Sequence, residues 1–432
     1  MTRLARALSM LCGVVVALTL TTATPAAAHV TGCAAGGVPL TAEEARLDRP
    51  VPGGTTSVPA ELITRGGFDA LVRGFTGGLC AVPDGRVAGA YAEATGRLLF
   101  ESAVARAQRS LTIGAALPAD DDRPLYWARL ALTRALRQWT PSFAHTADDR
   151  AAWEKRLEYA SRGLTTSAFR PLPGVRKLMI SGFDPFQLDA EIRRGNPSGA
   201  VALALDGRVL TALDGTRVQV QAVVFPVRYP DFDAGIVEDA FRAALARRPD
   251  MVTTISQGRP DAFDLEAFNG RRRSTPPSVP DNLLLWGGGT FTAPVVFPNV
   301  GPGPEFLPST LPMERMAEAE GQFTVRINTS VTEIPAGSTT PVTRADGPTE
   351  GSIAVDGGGG GYLSNESAYR VTRLLTETPS APPGGHVHTP VLWFDGGNAT
   401  EVTDPVFEAD RAAIIAQSTA ILLAGLAESP AP

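Results

Sequence analysis

The sequence predicts an α/β fold, a mostly parallel twisted sheet flanked by helices, preceded by a small helical N-terminal domain. Three observations predict it. Between about Pro59 and Gly163 apolar residues recur at the three-to-four spacing of amphipathic helices. From Lys177 onward short β-branched, apolar runs alternate with helical ones, the pattern of strand–helix units in a parallel sheet. Between the two parts lies Pro171-Leu172-Pro173-Gly174, a linker by composition. The expected division is residues 1–28 as a signal peptide, 29–170 as the helical domain and 171–432 as the α/β domain.

The N-terminus carries a basic pair, Arg3 and Arg6, then a short apolar stretch from Ala7 to Leu20 and the small residues Ala26-Ala27-Ala28. That is the layout of a secretory signal cleaved near Ala28, and it predicts a secreted protein. The apolar stretch is too short for a membrane anchor, and no other run is expected to span a bilayer. Leu11 before Cys12 is too large for the usual lipidation site. Cleavage leaves Cys33 and Cys80, which in an oxidising compartment most simply pair. Closing that loop contributes about 4 kcal/mol in the chain-entropy model.

Residues 30–58, rich in Gly, Pro and Thr, read as an irregular leader. Helical spacing follows over 87–106, 126–139 and 152–159, the last after the acidic pair Asp148-Asp149. No arrangement here converts into chemistry, and the lone His145 reads as a solvated or hydrogen-bonded side chain. In the second part, strands are expected at 177–180, 218–227, 251–255, 323–327 and 391–394. Helices are expected at 233–247, 364–375 and 406–426. Active loops of such a sheet lie at the carboxyl ends of its strands. Residues 270–305 and 331–356 resist assignment and read as long loops.

The 432 residues are 44% hydrophobic and 19% charged, ordinary for a globular protein. A net charge of −6 gives no footprint for nucleic acid or an anionic membrane, so neither is an expected partner. The oligomeric state is not legible.

Chemistry concentrates in four segments. A glycine run, Gly357 to Gly361, leads into Tyr362-Leu363-Ser364-Asn365. No cysteine follows Cys80, so a nucleophile here is an oxygen. Ser364 opens a helix, where serine serves as a cap. A helix start also presents free N–H groups and a positive dipole end, which stabilise an oxyanion. His386 and His388, two apart, face the same side of a strand. As metal ligands they lack a third partner of helpful spacing, so no metal or other cofactor is expected. The turn Ser181-Gly182-Phe183-Asp184-Pro185-Phe186 places two rings at the mouth of the sheet, to grip a small flat group or to pack beneath the next helix. Ser256-Gln257-Gly258-Arg259-Pro260-Asp261 follows a strand, with Glu266 and Asn269 shortly after. Glycine there allows close backbone approach, and a nearby carboxylate either orients a histidine or is solvated.

In order, these segments resemble pyroglutamyl peptidase I, the cysteine omega-peptidases that remove N-terminal pyroglutamate. The likeness runs from about Arg176 to Phe394. Gly182-Phe183-Asp184-Pro185-Phe186 resembles the family's Gly-Phe-acidic-Pro-Phe turn, and Asn196-Pro197-Ser198 comes after it as in that family. Pro249-Asp250-Met251-Val252 and Gln257-Gly258-Arg259 resemble the strand and loop before its catalytic glutamate. Val279-Pro280-Asp281-Asn282 is similar to its Ile-Pro-Asp-Asn, and Ser309-Thr310-Leu311-Pro312 to its Ser-Thr-Leu-Pro. Gly361-Tyr362-Leu363-Ser364-Asn365 stands where the family has Gly-Tyr/Phe-Leu/Val-Cys-Asn, and His388 with Pro390 falls on its His-x-Pro.

The resemblance implies a pyroglutamyl peptidase I-like fold, with Ser364 in place of the nucleophilic cysteine, His388 as general base and Glu266 as the carboxylate orienting it. Asp264 competes with Glu266, because the spacing to Asn269 is shorter than the family's. Phe183 and Phe186 would flank the pyrrolidone ring, with Gln257 beside them. Ser278 replaces a family arginine, and Arg271, Arg272 and Arg273 lie nearby out of register. Residues 331–356 look like an insertion, and the helical part and signal peptide have no counterpart in the compact family form. A serine hydroxyl lacks the ionised fraction of a thiol, so base alignment and the oxyanion site must bear more of the barrier. An oxidising exterior gives a reason to avoid an exposed thiol. The implied function is a secreted hydrolase releasing N-terminal pyroglutamate, or a related cyclic amide, from small substrates. The alternative is a catalytically inactive secreted binding protein of the same fold.

Overall fold

The computed structural model describes residues 33, 36, 38–114, 116–276 and 287–427. The signal segment, Cys12, Ser278 and the Val279–Asn282 stretch lie outside the described residues. The first part runs through α1 (Val58–Arg65), α2 (Asp69–Leu79), α3 (Gly85–Ala107), α4 (Arg123–Gln138) and α5 (Ala147–Ala160). Two of these helices, α3 and α5, start where the sequence supplies caps. The Asp84 carboxylate accepts the Val87 N–H at 2.8 Å, and Thr146 with Asp149 forms a reciprocal capping box. A disulfide joins Cys33 to Cys80, just after α2.

The second part opens with β1 (Val175–Phe183), α6 (Pro197–Leu205), β2 (Val209–Thr211), β3 (Arg217–Phe225), α7 (Tyr229–Asp233), α8 (Ile236–Leu245), β4 (Met251–Gln257) and β5 (Ala262–Glu266). Between 268 and 356 lie β6 (Phe268–Gly270), β7 (Arg272–Arg273), β8 (Val295–Val296), β9 (Phe306–Pro308), α9 (Met313–Ala317), β10 (Thr324–Asn328), β11 (Val331–Ile334), β12 (Val342–Arg344) and β13 (Ile353–Asp356). The chain closes with α10 (Leu363–Thr376), β14 (Gly384–Thr389) and α11 (Pro405–Leu426).

Among the described residues the main sheet has seven strands in the order β10-β5-β14-β4-β1-β3-β2. β3, β1, β4 and β14 are mutually parallel, so their carboxyl ends share one edge. β5 runs antiparallel to β14 and parallel to β10. Strand alternation splits the core between two faces. Leu178 and Ile180 of β1 pack on the side of α6, α11 and the N-terminal helices, and that cluster is continuous from Leu47 to Leu426. Met179 and Phe183 pack on the opposite side, with α8 and α10. The N-terminal helices therefore share a core with the sheet.

Three local expectations differ from the structure. Residues 331–356 are not a loop: β12, β11 and β13 form a three-stranded antiparallel sheet, with strands of three or four residues that leave little periodicity to read. Residues 391–394 are not a strand. The strand there is β14, which stops before Pro390, a residue with no N–H for a ladder, and the Phe394 ring stacks on Phe407 at 4.6 Å. Finally, α11 is long and apolar enough to cross a membrane by length and composition. In this fold it packs Phe407, Ile414, Ile421 and Leu422 into the core and buries Arg411 against Asp120.

Candidate active site

The carboxyl ends of β1, β4 and β14 and the start of α10 surround a cavity of about 530 Å³. Its lining includes Phe186, Gln257, Glu266, Ser364 and His388, together with the glycine run. A smaller niche of about 40 Å³ adjoins it, lined by Phe183, Phe186, Gln257, Tyr362 and Ser364.

His388 and Glu266 meet because of strand register. On β14 and β5, His386 faces Glu266 and His388 faces Asp264. Glu266 and His388 are thus diagonal neighbours on one face, a separation that a long side chain bridges. His388 Nδ1 and Glu266 Oε1 lie 2.7 Å apart, which leaves Nε2 for the cavity. The second Glu266 oxygen accepts from Asn328 Nδ2 at 2.7 Å. Asp264, directly opposite His388, is instead bound by Arg259 Nε and Arg326 Nε, each at 3.0 Å. Of the two candidate carboxylates, Glu266 is the one hydrogen-bonded to the histidine.

His386 is a different kind of histidine. It is fully buried, with Nδ1 2.7 Å from Thr254 Oγ1 and Nε2 2.9 Å from Ser256 Oγ. Burial, reinforced by neighbouring His388, holds its pKa well below the ordinary value, so it is neutral. Both ring nitrogens are committed to hydroxyls.

Ser364 is the second residue of α10, half-buried at the cavity wall. Among the described residues no side-chain cap closes this helix, and the N–H groups of Leu363, Ser364 and Asn365 make no hydrogen bond. Nor does a hydrogen bond join Ser364 Oγ to His388; the two side chains share the cavity. The helix start is fixed from the far side. Asn365 exchanges two bonds with the Gly270 backbone, at 2.7 and 2.8 Å, and Glu366 takes a bidentate bond from Arg273. Arg272 is spent on Glu305 in the same way, and Arg271 donates to the Gly301 carbonyl. None of these three arginines lines the cavity.

The glycines have specific reasons. A Cβ on Gly358 would collide with Glu266 Oε2, and one on Gly258 would stand 2.6 Å from His388 Cβ. Both backbones pass where a side chain would displace the histidine–carboxylate pair.

Phe186 stacks obliquely on Tyr362, with centroids 5.4 Å apart, and faces the cavity. Phe183 is buried, edge-on to Phe225 and stacked with Phe232, and touches only the niche. Asn196 and Ser198 brace this turn. Asn196 Nδ2 donates to the Asp184 carbonyl, and Ser198 Oγ accepts the Phe183 N–H. Ser309-Thr310 serves β14 rather than the cavity, exchanging backbone and hydroxyl bonds with Gly384.

Three residues were missed from sequence, two of them upstream in the helical part. Arg129 of α4 donates to Asp184 Oδ1 at 2.7 Å, and Arg162 after α5 donates to Oδ2 at 2.6 Å, all three side chains being almost wholly buried. A signal was present: Arg129 falls on the same stripe as Tyr126, Leu130 and Thr133, where a charge has no business without a partner. Asn328 had none, being one polar residue at the end of a distant strand.

Two family models match the chain. One, described as the PA0049 N-terminal domain, matches residues 23–158; the other, described as the PA0049 C-terminal domain, matches 177–283 and 320–393. A Pseudomonas aeruginosa protein, Uncharacterized protein PA0049, is 34% identical over 491 aligned positions, covering 89% of this chain and 88% of its own. Among solved structures, a mutant pyrrolidone carboxyl peptidase from Pyrococcus furiosus is 18% identical with a TM-score of 0.37, over 58% of this chain and 98% of its own. The Bacillus amyloliquefaciens pyroglutamyl peptidase I gives 17%, 0.37, 58% and 97%, and the Thermococcus litoralis pyrrolidone carboxyl peptidase 17%, 0.37, 60% and 100%.

Proposed function

We propose that this chain, which belongs to the PA0049 family, is a secreted serine-type hydrolase that releases N-terminal pyroglutamate or a related cyclic amide. The observation that carries the reading is the His388–Glu266 hydrogen bond, placed in one cavity with a serine at an uncapped helix start. The ordered motifs that resemble pyroglutamyl peptidase I supply the substrate class. Glu266 fixes the tautomer with the proton on Nδ1, so Nε2 is the base. Ser364 Oγ attacks the acyl carbonyl while its proton passes to His388 Nε2. The oxyanion forms against the free N–H groups that begin α10, each such donor contributing about 3–4 kcal/mol in comparable sites. His388 then gives its proton to the leaving amine, and water deprotonated at the same nitrogen cleaves the acyl-serine. Phe186, Tyr362 and Gln257 would hold the ring, with Phe183 as the floor of the niche.

A second reading, a ligand-holding protein without turnover, is favoured by the missing Ser364–His388 hydrogen bond, although such bonds often close only with substrate bound. Release of a fluorescent amine from a pyroglutamyl amide separates the two. Wild-type activity that disappears in Ser364→Ala supports hydrolysis by serine. Activity only in Ser364→Cys identifies a binding protein built on a peptidase site, and silence in all three removes the catalytic reading.

A further inference from the structure

We infer that the cavity selects substrates carrying a carboxylate within the first two residues after the scissile bond; this rests on the hydrolase reading only for the position of that bond. Arg326, Asp264 and His388 stand in one row across β10, β5 and β14, directly opposite one another in register. Asp264 is buried, yet it is shared by two guanidinium groups, Arg259 on one oxygen and Arg326 on the other. Each arginine spends only its Nε–H on that carboxylate. Among the described residues their terminal NH2 groups make no hydrogen bond, and the side chains are 57% and 46% exposed. Two positive charges against one negative leave an excess positive charge, with donors in fork geometry, beside the cavity that Arg259 lines.

The spacing fits a substrate. Adjacent strands are about 4.8 Å apart, so the Arg326 backbone is roughly 10 Å from that of His388. An extended chain covers about 3.3–3.6 Å per residue, and the arginine side chains shorten the gap further. The anion therefore belongs to the residue released first or to its neighbour, either as an acidic side chain or as the free C-terminus of a short peptide. Two other carboxyl groups line the cavity. Glu266 is engaged by His388 and Asn328, while Asp356 accepts from Ser274 and has its pKa raised by burial. Neither touches the arginine pair.

The test uses calorimetry on the Ser364→Ala protein with pyroglutamyl-alanine, its C-terminal amide, and pyroglutamyl-aspartate α-amide, in which only the side-chain carboxylate is free. The two carboxylate ligands are expected to bind about tenfold more tightly than the neutral amide. Tight binding by pyroglutamyl-alanine alone assigns the site to free C-termini; tight binding by the aspartyl ligand assigns it to acidic side chains. Adding Arg259→Gln and Arg326→Gln should erase the preference. Asp264→Asn, which keeps both arginines and removes their counter-charge, should enlarge it, a direction that misfolding cannot mimic. Equal affinities, no binding by any of the three, or a preference that survives loss of both arginines overturns the inference. Wild-type hydrolysis is measured alongside. A carboxylate preference without turnover overturns the catalytic reading and leaves this one standing.

Discussion

The two walls of the cavity are held by opposite means. The wall bearing Phe183 and Phe186 is pinned by buried charge: Asp184 sits between Arg129 and Arg162, which arrive from the N-terminal helices. The wall bearing Ser364 is pinned by missing side chains, with Gly358 pressed against Glu266 and Asn365 clasping Gly270. The difference explains why the helical region belongs to the site although none of its residues lines either compartment. A carboxylate turned inward at the end of β1 needs a buried cation, and the sheet itself offers none there. Damage to the glycine wall should appear as lost rate, and damage to the charged wall as lost stability.

The sharpest blow to rate is Glu266→Gln. An amide beside His388 Nδ1 no longer selects the tautomer, and kcat for a pyroglutamyl amide should fall about 10³–10⁴-fold with the fold intact by circular dichroism. A loss below tenfold would separate the glycine wall from catalysis. Next comes the charged wall. Asp184→Ala strands two buried arginines, and urea denaturation should show a loss of about 3–5 kcal/mol. Retained protein should show a raised KM more than a lowered kcat, since the rings and not the base are displaced. A stability change under about 1 kcal/mol, the range of an exposed pair, would mean the helices do not hold the turn. Smaller still is Gly358→Ala. The new Cβ must push the Glu266 carboxylate aside, and a displacement of that order costs about 10²-fold in rate.

Much of the second part was legible because its longer strands show their pattern and because the cavity's serine, histidine and aromatic turn stand in local motifs. Ser364 and His388 each carry their neighbours with them. What sequence left open was pairing across distance. Glu266 and Asp264 are two residues apart on one strand, and nothing local says which turns to the histidine. The choice is made by two arginines, Arg259 and Arg326, that claim Asp264. Likewise the short strands of 331–356 hold together through cross-strand bonds, with Glu333 gathering Arg344 and Thr349, rather than through any period of their own. Arg129 did advertise a distant partner, by standing charged on an apolar stripe.

The two histidines of β14 differ in burial, and pH separates them. His386 is kept neutral by burial, with its pKa well below 6.5. Below about pH 6.5 the unfolded chain takes up a proton at this residue that the folded chain refuses. The unfolded state then binds more protons, so stability falls as pH falls, by at most about 1.4 kcal/mol per pH unit. Two buried carboxyl groups work the other way. Asp122 and Asp206 are pushed up to about 7, chiefly by burial, so the folded chain binds their protons first and gains stability as pH drops from 7. The whole-protein curve therefore hides the histidine, whereas the difference between wild type and His386→Gln isolates it. Wild type should lose about 1.5 kcal/mol relative to the variant between pH 6.5 and pH 5, read from urea midpoints. A difference that stays flat across that range would show that His386 protonates within the fold, and the distinction between a sealed histidine and a cavity-facing one on one strand would collapse.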